Sequence, residues 1–189
     1  IIPRGGKGLV GRVQDEARVP VFAHLEGICH LYVSAKADMK KAADICINAK
    51  MRRVGICGAA ETLLMDQTIS RNDMSIIVKK LLDSGCEVRG TDIIAACDNR
   101  VVPATDADWG CEFLAPIIAV KTVSGLDDAI AHIRLNGSGH TESIITEDMV
   151  EAETFLNEID SSIVMVNAST QFADGGEFGM GAEIGIATG

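Results

Sequence analysis

The stretch Ile117-Ile118-Ala119-Val120-Lys121-Thr122-Val123-Ser124-Gly125-Leu126-Asp127-Asp128-Ala129-Ile130-Ala131-His132-Ile133-Arg134-Leu135-Asn136-Gly137 decides the fold. Ile117 to Val123 is a short apolar run rich in β-branched residues, which reads as a strand covered on both faces. Asp127-Asp128 starts a helix that runs through Leu135, and Gly137 stops it. Ser143-Ile144-Ile145-Thr146 then reads as a second strand, so the stretch is one β-α-β unit.

The same alternation extends in both directions. Upstream, Ala37 to Lys50 carries Met39, Ala42, Ala43, Cys46 and Ala49 at helical spacing, with Asp38 near its start. Glu61 to Met65 reads as a buried strand. Asn72-Asp73 caps a helix with the face Met74, Ile77, Val78, Leu81 and Leu82, stopped by Gly85. Cys86 to Arg89 is a short strand and Asp92 to Cys97 a helix. Downstream, Glu147 to Glu158 is a helix and Ser162 to Asn167 the last strand. This order predicts an α/β fold: a three-layer αβα domain with a mainly parallel sheet, from about Leu31 to Asn167. No internal repeat is present. Phe172 to Gly189 holds glycines at 175, 176, 179, 181, 185 and 189, too many for a regular element, and it is too apolar for a free linker. It reads as a loop that packs against something.

Composition narrows the function classes. The 189 residues suffice for one domain or one lobe of a larger protein. Hydrophobic residues make up 47% and aromatic ones 4%, so Ala, Ile, Val and Leu must fill the core. A net charge of −10 argues against nucleic-acid partners, which require a basic face. No apolar run reaches membrane-spanning length, and no secretory leader is visible. The six cysteines (Cys29, Cys46, Cys57, Cys86, Cys97, Cys111) form no Cys-x-x-Cys pair, and the four histidines cluster with none of them, so no metal site is expected. Free thiols in a reducing cytoplasm are the expectation. The chain opens on Ile1-Ile2-Pro3-Arg4-Gly5-Gly6 and ends on Ala187-Thr188-Gly189, and both ends look cut from something longer.

Cys57 is the candidate nucleophile. It lies between a helical pattern and a strand, in Arg53-Val54-Gly55-Ile56-Cys57-Gly58-Ala59-Ala60. A thiol on a tight glycine-flanked loop is accessible, and backbone N–H groups beside it suit the oxyanion formed when a thiolate attacks a carbonyl. The competing reading is a small buried residue.

The run Asn48-Ala49-Lys50-Met51-Arg52-Arg53-Val54-Gly55-Ile56-Cys57-Gly58-Ala59-Ala60-Glu61-Thr62-Leu63-Leu64 resembles the nucleophile segment of the gamma-glutamyl phosphate reductase family, also called glutamate-5-semialdehyde dehydrogenases. Ile2 to Leu9, Asp127 to Ile133 and Val166 to Gly179 resemble the same family, so the likeness spans the chain. The family lies within the aldehyde dehydrogenase superfamily. The resemblance implies an aldehyde-dehydrogenase-like catalytic domain over residues 31–167. It makes residues 1–30 the end of a cofactor-binding domain and 168–189 a glycine-rich return segment toward the active site. It also implies reduction of L-glutamate 5-phosphate by NADPH to L-glutamate 5-semialdehyde with release of phosphate, the second step of proline biosynthesis. A homo-oligomer of the full-length protein, an association with glutamate 5-kinase and a cytoplasmic location come with it.

The site residues implied are these. Cys57 forms the thioester. Glu112, in Glu112-Phe113-Leu114-Ala115-Pro116, resembles the superfamily's Glu-x-Phe-Gly-Pro segment and binds the nicotinamide ribose, although Leu114-Ala115 stands in place of Phe-Gly. Gly5, Gly6 and Gly8 admit the nicotinamide half of the cofactor; by themselves they read as a turn. Asn167, Ser169 and Thr170 suit the glutamyl head or the phosphate, or a plain strand end. Arg53, with Arg52, attracts the acyl phosphate or serves the end of its helix. Glu26 occupies the place of the general base in hydrolytic relatives, a base that a reductase does not need. The histidines His24, His30, His132 and His140 read as structural. Two further readings stay open: a cysteine acyltransferase or hydrolase pairing Cys57 with His24 or His140, and a non-catalytic binding module.

Overall fold

The computed structural model describes residues 1–3, 5–181 and 185–188. After helix α1 (Lys7–Glu16) come β1 (Cys29–Val33), α2 (Met39–Met51), β2 (Ala60–Asp66), α3 (Arg71–Asp83), β3 (Glu87–Gly90), α4 (Asp92–Ala95), β4 (Val102–Pro103), β5 (Ile117–Val123), α5 (Leu126–Asn136), β6 (Thr141–Ile145), α6 (Met149–Glu158) and β7 (Ile163–Val166). The strands form one sheet in the order β4-β3-β5-β2-β1-β6-β7. Every pairing is parallel.

Side chains alternate across the strands, and each face finds its own helices. Leu31, Val33, Leu63, Met65, Ile118 and Val120 pack against α2 and α3, through residues such as Ala42, Cys46, Ile77 and Leu81. Tyr32, Leu64 and Ile144 point to the other face, against Ile130 and Ile133 of α5 and Phe155 of α6. The result is the three-layer αβα arrangement that the alternating pattern predicts.

Some elements differ from the sequence reading. β1 was not expected as a strand: Cys29, His30 and Tyr32 dilute the apolar run, yet all five of its residues are buried at the sheet centre. It also straddles the boundary placed at residue 30. Helix α1 buries only Val10, so it lacks the apolar stripe by which a helix is recognised. The cap of α3 is Ser70, whose side chain accepts the Asp73 N–H, and Asn72-Asp73 falls inside the first turn. Asp38 caps α2 through the N–H groups of Lys40 and Lys41, which directs that helix toward the loop that carries Cys57.

Candidate active site

The loop between α2 and β2 places Cys57 three residues before Ala60, at the amino ends of the parallel strands. Open parallel sheets ordinarily bind ligands at the carboxyl ends. Here Cys57 is half-buried and lines a cleft of about 550 Å³. Arg53, Ile56 and Gly58 of the same loop line it, as do Pro3, Gly5 and Phe22 from the N-terminal segment. Asp174, Gly175, Gly185 and Ile186 bring the glycine-rich end of the chain to the same cleft, while 182–184 and Gly189 lie outside the described residues.

Three contacts hold the Cys57 loop. Gln171, buried in the 3-10 turn Thr170–Phe172, donates its amide to the carbonyls of Ala49 (2.8 Å) and Arg53 (3.1 Å). Those acceptors end α2 and begin the loop, so Gln171 satisfies carbonyls that a helix end leaves unpaired. Gly27 presses on the loop from behind: a Cβ there would lie 2.2 Å from the Cys57 carbonyl oxygen and 2.7 Å from its Cα. Cys29 donates its thiol to that same carbonyl at 3.1 Å. Burial pushes the Cys29 thiol well above its ordinary value, with Glu142 adding to the effect, so Cys29 remains a thiol. Among the described residues, the N–H groups of Cys57 and Gly58 meet no acceptor. Two bare donors beside a thiol are what a tetrahedral oxyanion requires.

The structure distributes the remaining sequence-predicted residues unevenly. Arg53 and Gly5 reach the cleft. Gly6 caps α1 and Gly8 lies inside it, both facing open space, while Gly5 is the one of the three that lines the cleft. Glu112 accepts the Gly27 N–H at 2.8 Å, which puts it behind the Cys57 loop. Leu114, not the residue in the family's glycine place, takes the left-handed conformation (φ 51°), and its N–H reaches Glu61 at 3.3 Å. Ser169 accepts the Gln171 N–H at 3.2 Å. Thr170 is fully buried with its hydroxyl unpartnered among the described residues, and its carbonyl rests against Gly58.

Asn167 is the clearest departure. Its amide bonds both the N–H (3.0 Å) and the carbonyl (2.8 Å) of Thr146, just past β6. That is the carboxyl end of the sheet, and Asn167 does not meet the Cys57 cleft. Arg52 pairs with Glu177 and lies over the Phe172 ring, and Glu26 pairs with Lys7.

The histidines correct the sequence reading most sharply. The Cys57 sulfur and one ring nitrogen each of His24 and His140 lie within 4.8 Å of one another. Sequence spacing carries no trace of this, because the two imidazoles come from segments on either side of most of the sheet. His30 pairs with Glu142, and burial lowers His132 to about 4, so these two are structural. Gly27 and Gln171 also escaped sequence reasoning; each acts through a contact far along the chain. No described helix is long and apolar enough to cross a membrane.

The aldehyde dehydrogenase family model matches residues 100–182. The gamma-glutamyl phosphate reductase of Parvibaculum lavamentivorans is 60% identical over all 189 residues, which cover 45% of that protein. The one from Methylorubrum extorquens strain PA1 is 62% identical, with 44% of its length covered. The crystal structure of the gamma-glutamyl phosphate reductase from Thermotoga maritima superposes on the whole chain with a TM-score of 0.95 at 49% identity, over 45% of that chain. The present chain thus spans under half the length of each of these relatives.

Proposed function

Because this chain is a relative of the gamma-glutamyl phosphate reductases along its whole length, within the aldehyde dehydrogenase superfamily, we propose that the protein containing it reduces L-glutamate 5-phosphate to L-glutamate 5-semialdehyde with release of phosphate. This is the second step of proline biosynthesis, and the cytoplasm is its proposed setting. Residues 31–167 act as the catalytic domain, residues 1–30 as the end of a cofactor-binding domain and 168–189 as the return segment over the site. Homo-oligomerisation and association with glutamate 5-kinase belong to the same proposal.

The observation that carries this reading is Cys57 opening into the cleft with the free N–H groups of Cys57 and Gly58 beside it. The sulfur bonds to the acyl carbon, the two N–H groups hold the developing oxyanion, and the C–O bond to phosphate breaks to leave a thioester on Cys57. Arg53 places a positive charge in the cleft for the phosphate, and Asp174 offers a carboxylate for the glutamyl ammonium group. Glu26 is paired with Lys7 and Glu112 is held by the Gly27 N–H, so neither of these two is free to activate water, a base that reduction of the thioester does not need.

A cleft of this volume, walled by Pro3, Phe22, Ile56 and Ile186 with Gly5 at its rim, fits the flat nicotinamide end of NADPH. When bound, that cofactor supplies hydride to the acyl carbon. Cys57→Ser in the full-length protein tests the reading. Reduction should fall to below about one per cent of the parent rate, because an alcohol is a far weaker nucleophile at neutral pH, while the melting temperature stays essentially unchanged. Retained turnover would place the nucleophile elsewhere.

The nearness of His24 and His140 to the Cys57 sulfur favours a second reading, acyl transfer from Cys57 to water or another acceptor with imidazole help. The two readings diverge on one measurement: whether loss of the acyl phosphate consumes a nicotinamide cofactor one for one.

A further inference from the structure

We propose that Cys57, His24 and His140 form a zinc site in the wall of the cleft, and that a zinc ion there caps the Cys57 sulfur. The sulfur and one ring nitrogen of each histidine already lie within 4.8 Å of one another. Ligands on a tetrahedral zinc, with Zn–S about 2.3 Å and Zn–N about 2.0–2.1 Å, stand roughly 3.5 Å apart. The three donors therefore need to draw together by about an ångström. Cys57 sits on a loop, and His24 sits in the irregular segment between α1 and β1, so two of the three ligands lie outside the regular elements.

Each imidazole is held through Nδ1, which leaves Nε2 for a metal. His24 Nδ1 lies 2.8 Å from the carbonyl oxygen of Ile186, an atom that only accepts, so Nδ1 carries the proton and Nε2 presents its lone pair. His140 is fully buried; its Nδ1 meets the Thr141 hydroxyl at 2.9 Å, and its Nε2 has no partner among the described residues. A buried nitrogen without a partner carries a free-energy cost that a ligand would remove. A histidine held through one nitrogen with the other exposed to a site is the usual arrangement of a metal ligand. Three protein ligands with a fourth position open to the cleft match zinc sites that keep a place for water or an anion.

Binding is balanced by one proton: the Cys57 S–H bond breaks, the Zn–S bond forms, and the proton passes to solvent. Cys29 stands outside the group of three, its thiol donating to the Cys57 carbonyl at 3.1 Å. A sulfur held by zinc cannot attack an acyl phosphate, so zinc should switch the enzyme off reversibly. That consequence rests on the nucleophile reading given above; the site itself does not.

The test uses the full-length protein freed of metal by a chelator, with zinc chloride as the probe. Calorimetry should show one zinc per chain, and zinc should shield Cys57 from iodoacetamide as read by mass spectrometry. His24→Ala, His140→Gln and Cys57→Ser should each weaken zinc by more than the roughly tenfold to a hundredfold that losing an outer partner costs. His24 is only half-buried, so its variant keeps the test decisive if His140→Gln melts early. Equal zinc affinity in His24→Ala and Cys57→Ser, or alkylation of Cys57 untouched by zinc, overturns the proposal. Zinc that shields Cys57 without slowing reduction would uphold the site and instead remove Cys57 from the reaction.

Discussion

Glu61, the second residue of β2, and Lys50, near the end of α2, are fully buried against each other beside the Cys57 loop. Burial pushes the Glu61 carboxyl up from 4.5 to about 7, against the pull of Lys50 and of the Leu114 N–H. An acid raised on folding binds its proton more tightly in the folded state than in the unfolded one. Its contribution therefore favours the fold most below about 4.5 and is lost as pH rises to about 7. Glu61→Gln should flatten that part of the pH–stability curve. Because Gln stands in for the protonated carboxyl, the variant should stay within about 1 kcal/mol of the parent at about pH 5 and depart from it mainly at higher pH. Urea unfolding at about pH 5 and about pH 7.5 checks both effects, and an unchanged slope between them would show that Glu61 does not titrate there. The residue scale also holds a feature that sequence spacing does not support: the sulfur of Cys57 keeps company with His24 and His140, which read as structural in sequence.

The end of α2 and the turn Thr170–Phe172 act together as one device. Gln171 closes the helix by bonding Ala49 and, past the end of the helix, Arg53, and so ties the glycine-rich end of the chain to the Cys57 loop. The loop's own backbone contributes the turn bond from Ala59 to Ile56, and Gly27 and Cys29 add their contacts at the Cys57 carbonyl. Gln171→Ala should cost about 1–3 kcal/mol by leaving two carbonyls unpaired. It should also lower turnover of the full-length protein by roughly tenfold to a hundredfold through a displaced Cys57. Denaturation beside steady-state kinetics separates the two effects; lost stability with normal turnover would reduce Gln171 to a helix cap. Helix α2 itself was legible in the sequence, with Asp38 at its start and small residues at helical spacing. Its terminal clamp was not, because the partner lies far along the chain.

Across the whole molecule, the parallel sheet separates two ends with different roles. Cys57, His24 and Gln171 gather at the amino ends of the strands, whereas Asn167 bridges the carboxyl ends of β6 and β7 through Thr146. Asn167 holds a left-handed conformation (φ 53°) that asparagine tolerates better than most residues. Asn167→Ala should therefore cost about 2–4 kcal/mol in lost hydrogen bonds and strain. Turnover should stay within about twofold, since the change is remote from the cleft. Thermal melting and kinetics check this, and a large rise in the Michaelis constant would return Asn167 to the substrate. By itself the sequence determined the αβα class and the parallel sheet, because short apolar β-branched runs, helical spacing and helix stops are local signals repeated along the chain. It also singled out Cys57, whose loop is defined by its immediate neighbours. Only the tertiary structure decided that β1 lies at the sheet centre and that the site opens at the amino edge. It alone brought His24 and His140 to the thiol, and set Gly27 and Gln171 to hold the loop. Those are contacts between distant segments, fixed by how the strands order themselves in the sheet, and local sequence carries no record of that order.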